Sequence, residues 1–313
     1  SPYPHDGAVD FPQPLILSWL PGGAGLKHDI YFGEDEQIVT DATIESTGIY
    51  RGLPTAQITT YDPGNLELEK TYYWRVDEVN PADPNSPWKG DIWFFTTANF
   101  IVVDNFESYN ADNHIWWTWK DGLGYVVPVG NFTGSAVGDE NTPSYTEETI
   151  VHGGNQSMPY CYDNDKAGYA KYSEAEKTLS YPRDWTQDGI LELSLWFHGN
   201  PANAPEPMYV AIANRTGTPA VVYHHDPNTV RIDTWTEWTI PLQTFGGQGI
   251  NLTDVDRIAI GFGTRGNMTI SGGRGKMYFD DIRLYPPRPE PEPETEISGE
   301  FSNDVIYANL KIR

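Results

Sequence analysis

Flat aromatic rings set beside polar side chains are the residues here whose types and spacing could do chemistry. Such rings stack on the C–H face of a sugar while polar neighbours take its hydroxyls. The run Trp116-Trp117-Thr118-Trp119-Lys120-Asp121 concentrates three indoles in one short segment. Trp196 and His198 form a second candidate, because they alternate with Leu195 and Phe197 and so oppose the apolar phase. Trp235 is a third, although with Trp238 it lies in WTEWTIPL, which also reads as core-and-edge strand. Each indole has a plainer reading as a core or interdomain anchor, since tryptophan is mostly buried on average. The pointer to a sugar lies in the surplus, 11 tryptophans and 19 tyrosines in 313 residues.

Other chemistries find less support. His224-His225-Asp226 has no further His or Cys at ligand spacing and reads as a polar loop. No G-x-S-x-G, H-E-x-x-H or phosphate-binding glycine loop occurs. Glycoside hydrolysis needs two carboxylates facing one bond; Asp254 and Asp256 alternate without a partner glutamate, and Glu192 stands alone among aliphatics. The chain therefore reads as a non-enzyme, with an orphan hydrolase or lyase as a third reading. Cys161 is the one cysteine, which excludes an intrachain disulfide, and it is expected to be a buried, inert thiol. Asn-x-Ser/Thr sequons stand at Asn131, Asn155, Asn214, Asn251 and Asn267, and would matter only where a glycosylation system operates.

The elements that must position these residues are strands. With 30 glycines, 25 prolines and no sustained 3.6-residue apolar stripe, the composition favours many short strands joined by turns. Tyr72, Trp74 and Val76 alternate with Tyr73, Arg75 and Asp77; Leu191, Leu193, Leu195 and Phe197 alternate with Glu192, Ser194, Trp196 and His198; Ile258, Ile260 and Phe262 alternate with Ala259, Gly261 and Gly263. Each pattern predicts a strand with one core face and one outward face. The chain divides into residues 1–98, residues 99–288, a Pro/Glu linker at 289–297 and a tail at 298–313. In the tail Ile306, Ala308, Leu310 and Ile312 alternate as a strand would. A net charge of −24 argues against nucleic acid, anionic membranes and strongly anionic polysaccharides as partners. No apolar run is long enough to span a bilayer. The start at Ser1 without a signal peptide fits a mature, processed product.

Two family resemblances sharpen these expectations. Leu66 lies six residues before Tyr72, and the combination HDIYFG, YYWRVDEVN and WKGDIWFFTT resembles the fibronectin type III-like modules of surface and secreted proteins in planctomycetes and related bacteria. The elements VDNFESY, GNFTGSAVG, VHGGNQSM, LWFHGN, WTEWTIPL, IGFG and MYFDDIRLY resemble carbohydrate-binding modules of the family 4, 11 and 22 type. The resemblance implies an all-β chain: a fibronectin III-like sandwich followed by a larger jelly roll, secreted or on the cell surface. It also implies a structural Ca²⁺ joining the first and last strands of the jelly roll, held by Glu107 and Asp280 or Asp281. The leading expectation is a non-catalytic protein that takes a neutral polysaccharide or glycoconjugate. The alternative is an adhesive subunit that assembles, even into a filament, when the 298–313 tail adds as a strand to a copy of the chain.

Overall fold

The computed structural model describes residues 1–22, 27–52, 55, 57–123 and 131–288. The linker at 289–297 and the tail with Ile306, Ala308, Leu310 and Ile312 lie outside the described residues.

The N-terminal part contains β1 (Pro2–Tyr3), β2 (Ala8–Gln13), β3 (Leu17–Trp19), β4 (Lys27–Gly33), the short helix α1 (Glu36–Asp41), β5 (Thr60–Tyr61), β6 (Thr71–Val79) and β7 (Trp93–Asp104). A small sheet of order β1-β3-β5 packs on a sheet in which β6 lies between β4 and β7. The core between them holds Leu17, Trp19, Ile30, Phe32, Tyr72, Trp74, Val76 and Phe95. The β6 alternation thus places its predicted face inward. Tyr72 also accepts a hydrogen bond at 3.0 Å from the Glu67 N–H, which ties the Leu66 turn to the strand. The opposite phase of β6 is polar yet also buried, with Arg75 1 % exposed. Its guanidinium pairs with Asp77 at 2.8 Å and donates to the carbonyls of Val39, Thr40 and Ala42, satisfying the orphan C-terminal carbonyls of α1.

The C-terminal part follows with the one-turn helix α2 (Ile115–Thr118) and β8 (Trp119–Lys120), β9 (Ser135–Val137), β10 (Met158–Asp163), β11 (Ser173–Thr178), β12 (Glu192–His198), β13 (Met208–Ala213), β14 (Ala220–Tyr223), β15 (Thr236–Pro241), β16 (Arg257–Phe262) and β17 (Arg274–Tyr285). One sheet runs β14-β13-β16-β11-β8. In the facing sheet β12 joins β15 to β17, and the other edge of β17 pairs with β10 along its first half and β7 along its second. Leu193, Leu195, Phe197, Met277 and Phe279 meet Val210, Ile212, Ile258, Ile260 and Phe262 between the two sheets. The chain is an all-β protein, and this part is a β-sandwich of the jelly-roll kind.

One detail departs from the sequence expectation. Leu191, placed on the apolar face of β12, is 58 % exposed, because the strand begins one residue later and Leu191 belongs to the turn. The junction near residue 98 falls within a strand. β7 passes through it unbroken, pairing with β6 from Trp93 to Thr96 and with β17 from Ile101 to Asp104. The sheet consequently runs on from one core to the other.

Candidate functional site

β12 and β17 build the principal face. Their inward residues fill the core, so by strand alternation Trp196, His198, Lys276, Tyr278 and Asp280 point out of the sandwich. The register sets His198 opposite Tyr278 and Tyr278 opposite Pro159, while Lys276 lies opposite Cys161. Trp235, just before β15, meets His198 edge to face with centroids 5.5 Å apart; His198 meets Tyr278 at 5.9 Å. The Lys276 ammonium sits 4.9 Å over the Tyr278 ring. Lys276 and Cys161 then line a cleft of about 250 Å³ whose far wall is Trp116. Trp116, Trp196, His198 and Trp235, scattered over 120 residues, thus share one side of the molecule.

The tryptophan run divides. Trp119 is wholly buried and its Nε1 donates to Asp104, so it is a core anchor and no platform for a ligand. Trp116 is half-buried against His114 and Tyr145. Trp117 is 41 % exposed and lines a different cleft. Cys161 is exposed and not buried as expected, because β10 carries it on the outward phase between Tyr160 and Tyr162.

Behind Trp196 lies a loop that sequence reasoning did not single out chemically. His152 stacks on the Trp196 indole at 3.9 Å and 18°. Its Nδ1 donates to Asp281 at 2.7 Å, since a carboxylate can only accept. Asp280 accepts from the N–H groups of His152 and Gly153, and Glu107 accepts from those of Asn155 and Gln156. Consecutive strand residues normally face opposite ways. Here Asp281 adopts φ 47° at a bulge where the β12–β17 register shifts, so both aspartates reach the same loop. Glycine suits the turn opposite them: Gly154 adopts φ 67°, and a Cβ on Gly153 would stand 2.5 Å from Asp281 Oδ2 and one on Gly154 2.5 Å from Glu107 Oε1, so either would displace a carboxylate. Burial pushes the Asp280 carboxyl up to about 7, opposed by the Gly153 N–H, with Asp281 adding to the rise.

These acids bear on the expected calcium. Among the described residues no three His, Cys, Asp or Glu side chains are grouped to hold a metal ion. Glu107 and Asp281 flank consecutive glycines, and their hard oxygens suit calcium in kind; any remaining ligands would have to be backbone or amide carbonyls or waters.

The structure adds two clusters with no contiguous sequence signature. Asp104 receives Tyr109 Oη, Trp119 Nε1 and Lys177 Nζ on one oxygen at 2.7, 2.8 and 2.8 Å, and the Phe106 N–H on the other. On the outer face of the second sheet, Glu174 binds Arg265 through both oxygens and accepts from Tyr209, whose ring lies against Gly261. The sequons have a structural basis as well. The side-chain oxygens of Asn131, Asn251 and Asn267 accept from the backbone N–H two residues on, where the threonine stands, as Asx turns require.

No protein-family model matches this chain, and no curated protein matches it. Several solved structures are similar to it. A carbohydrate-binding module of the β-sandwich superfamily aligns with TM-score 0.37 and 14 % identity over 91 % of this chain and 95 % of that one. A family 11 carbohydrate-binding module from Clostridium thermocellum, in complex with a β-1,3-1,4-mixed-linked tetrasaccharide, aligns with TM-score 0.32 and 15 % identity over 54 % and 94 %. A family 30 module of a cellulosomal cellulase from the same organism gives 0.37 and 14 % over 53 % and 90 %. Scores this low leave the reading of the face to its own geometry.

Proposed function

We propose that this chain is a non-catalytic, secreted or cell-surface protein whose jelly roll binds a neutral polysaccharide on the outer face of β12 and β17. The observation that carries the reading is the convergence of Trp235, His198, Tyr278 and Trp196 on that face, continuous through Lys276 with the cleft walled by Trp116. The partly exposed Trp235, Trp196 and His198 rings supply apolar faces for sugar C–H groups, with Tyr278, 9 % exposed, backing them, and Lys276 with the imidazoles supplies hydrogen bonds to hydroxyls. Of the acids near this face, Asp280 is fully buried, Asp281 is engaged by His152 and Arg283, and Glu237 pairs with Arg288, while Asp139 and Glu140 line the Trp116 cleft. The N-terminal part, read as a fibronectin III-like spacer, would hold this face away from its attachment. A calcium ion at Glu107 and Asp281 would lock the loop that carries His152.

A glycan array followed by titration of the best neutral oligosaccharide tests the proposal. Trp235→Ala and Trp196→Ala should each weaken binding about ten-fold, or ~1.4 kcal/mol, with no reducing ends released. Unchanged affinity in both variants would remove this face from consideration.

A further inference from the structure

Trp117 and Trp116 are neighbours on α2 yet serve different hollows, with His114 packed 4.3 Å from the first ring and 4.8 Å from the second. Trp117 opens onto a cleft of about 400 Å³ lined also by Ser108, Asn113, Lys120, Lys177 and Ser180. In a chain with 44 acidic and 20 basic residues this lining is unusual: among the described residues it contains two lysines and no carboxylate. The two ammonium groups differ. Lys177 is neutralised from beneath by Asp104 at 2.8 Å. Lys120 is exposed; among the described residues its Nζ meets only the Trp117 carbonyl, at 2.6 Å, which leaves two N–H donors and a full charge. Glu176 stands opposite Lys120 in the β8–β11 register but is paired with Arg257 at 3.4 Å; more distant acids matter little, because at 0.1 M salt a charge is screened beyond ~10 Å.

We propose that this cleft is a second sugar site, separate from the β12–β17 face, which takes a ring bearing a carboxylate. The Trp117 indole covers the ring's C–H face, Lys120 pairs with the carboxylate, and Ser180 and Asn113 meet ring hydroxyls. A uronic acid residue combines these features in one unit. A neutral ring would leave the Lys120 charge unanswered, and a small anion would leave the indole uncovered. The site is independent of the neutral-glycan reading, since none of its residues lies on the β12–β17 face.

The test is an indole N–H titration of the full chain by NMR, with the Trp117 signal assigned from its loss in Trp117→Phe. Methyl glucuronide, the matching methyl glucoside and glucose 6-sulfate are the probes. The glucuronide should shift the Trp117 signal saturably, with affinity falling about five-fold in Lys120→Gln, which removes charge from an exposed side chain and should melt with the parent. Trp235→Ala should leave this titration unchanged while weakening the neutral-glycan response about ten-fold, so the two readings fail separately. Equal shifts with the glucoside, no Trp117 shift with the glucuronide, or an unchanged affinity in Lys120→Gln would each overturn the proposal. A stronger response to glucose 6-sulfate would overturn the carboxylate assignment in favour of a sulfate.

Discussion

Replacing Asp104 by alanine should destabilise the jelly roll by about 4 kcal/mol, and the estimate follows from what converges on that side chain. Tyr109 Oη and Trp119 Nε1 are donors on buried residues, 3 % and 0 % exposed, and would lose their acceptor. An unsatisfied buried donor costs roughly 1–3 kcal/mol. Lys177 would lose its ion partner, but its side chain is 15 % exposed and can turn towards water, so it adds less than a fully buried charge. Water entering the vacated space would return part of the loss. At roughly 2–4 °C per kcal/mol for a unit of this size, the melting temperature should fall by about 10 °C. Asp104→Asn keeps one accepting oxygen and nearly the same volume, and should cost about half as much. Thermal and urea melts followed by tryptophan fluorescence measure both variants. An alanine variant melting within about 3 °C of the parent, or an asparagine variant worse than alanine, would refute the hub reasoning.

Three further outcomes are expected. Burial, the main influence on His224, holds its pKa below 6.5, so the folded protein takes that proton less readily than the unfolded chain. The stability it contributes is complete above about pH 6.5 and lost as pH falls below it, and His224→Asn should flatten the melting profile between pH 5 and 7; an unchanged slope would count against it. Chelation should lower the melting temperature of the jelly roll alone if calcium joins Glu107 to Asp281; no change after exhaustive dialysis against chelator would eliminate the ion. Deleting residues 298–313 should leave glycan affinity unaltered, and a dimer that survives dilution only in the full chain would favour assembly by strand addition instead.

Side chains that obey period two were legible in the sequence. Tyr72, Trp74, Val76, Ile258 and Ile260 announce their inward phase by alternation alone, and the structure buries all five. The grouping of Trp196 with His198 was legible for the same reason. The fate of Trp119 was not, because it depends on an acid fifteen residues earlier that collects donors from as far as Lys177. The doublet Asp280-Asp281 was visible, but its shared orientation arises from a bulge and a left-handed residue that no periodicity reveals. His152 joins the face through a stacking contact and a carboxylate 129 residues away, so only the folded chain brings it to Trp196. The exposure of Leu191 likewise reflects where a turn ends, which alternation cannot locate to one residue.

The passage of β7 from one core to the other has a mechanical consequence. A strand of 12 residues spans about 40 Å at ~3.3 Å per residue. Hydrogen-bonded to β6 at one end and to β17 at the other, it works as a strut shared by both parts. Tension applied at the N-terminal part would load those hydrogen bonds along the strand axis, in shear and all together, so that they would resist as a group instead of unzipping in turn. The aromatic face would then keep a fixed heading under load, like a grapnel on a stiff shaft.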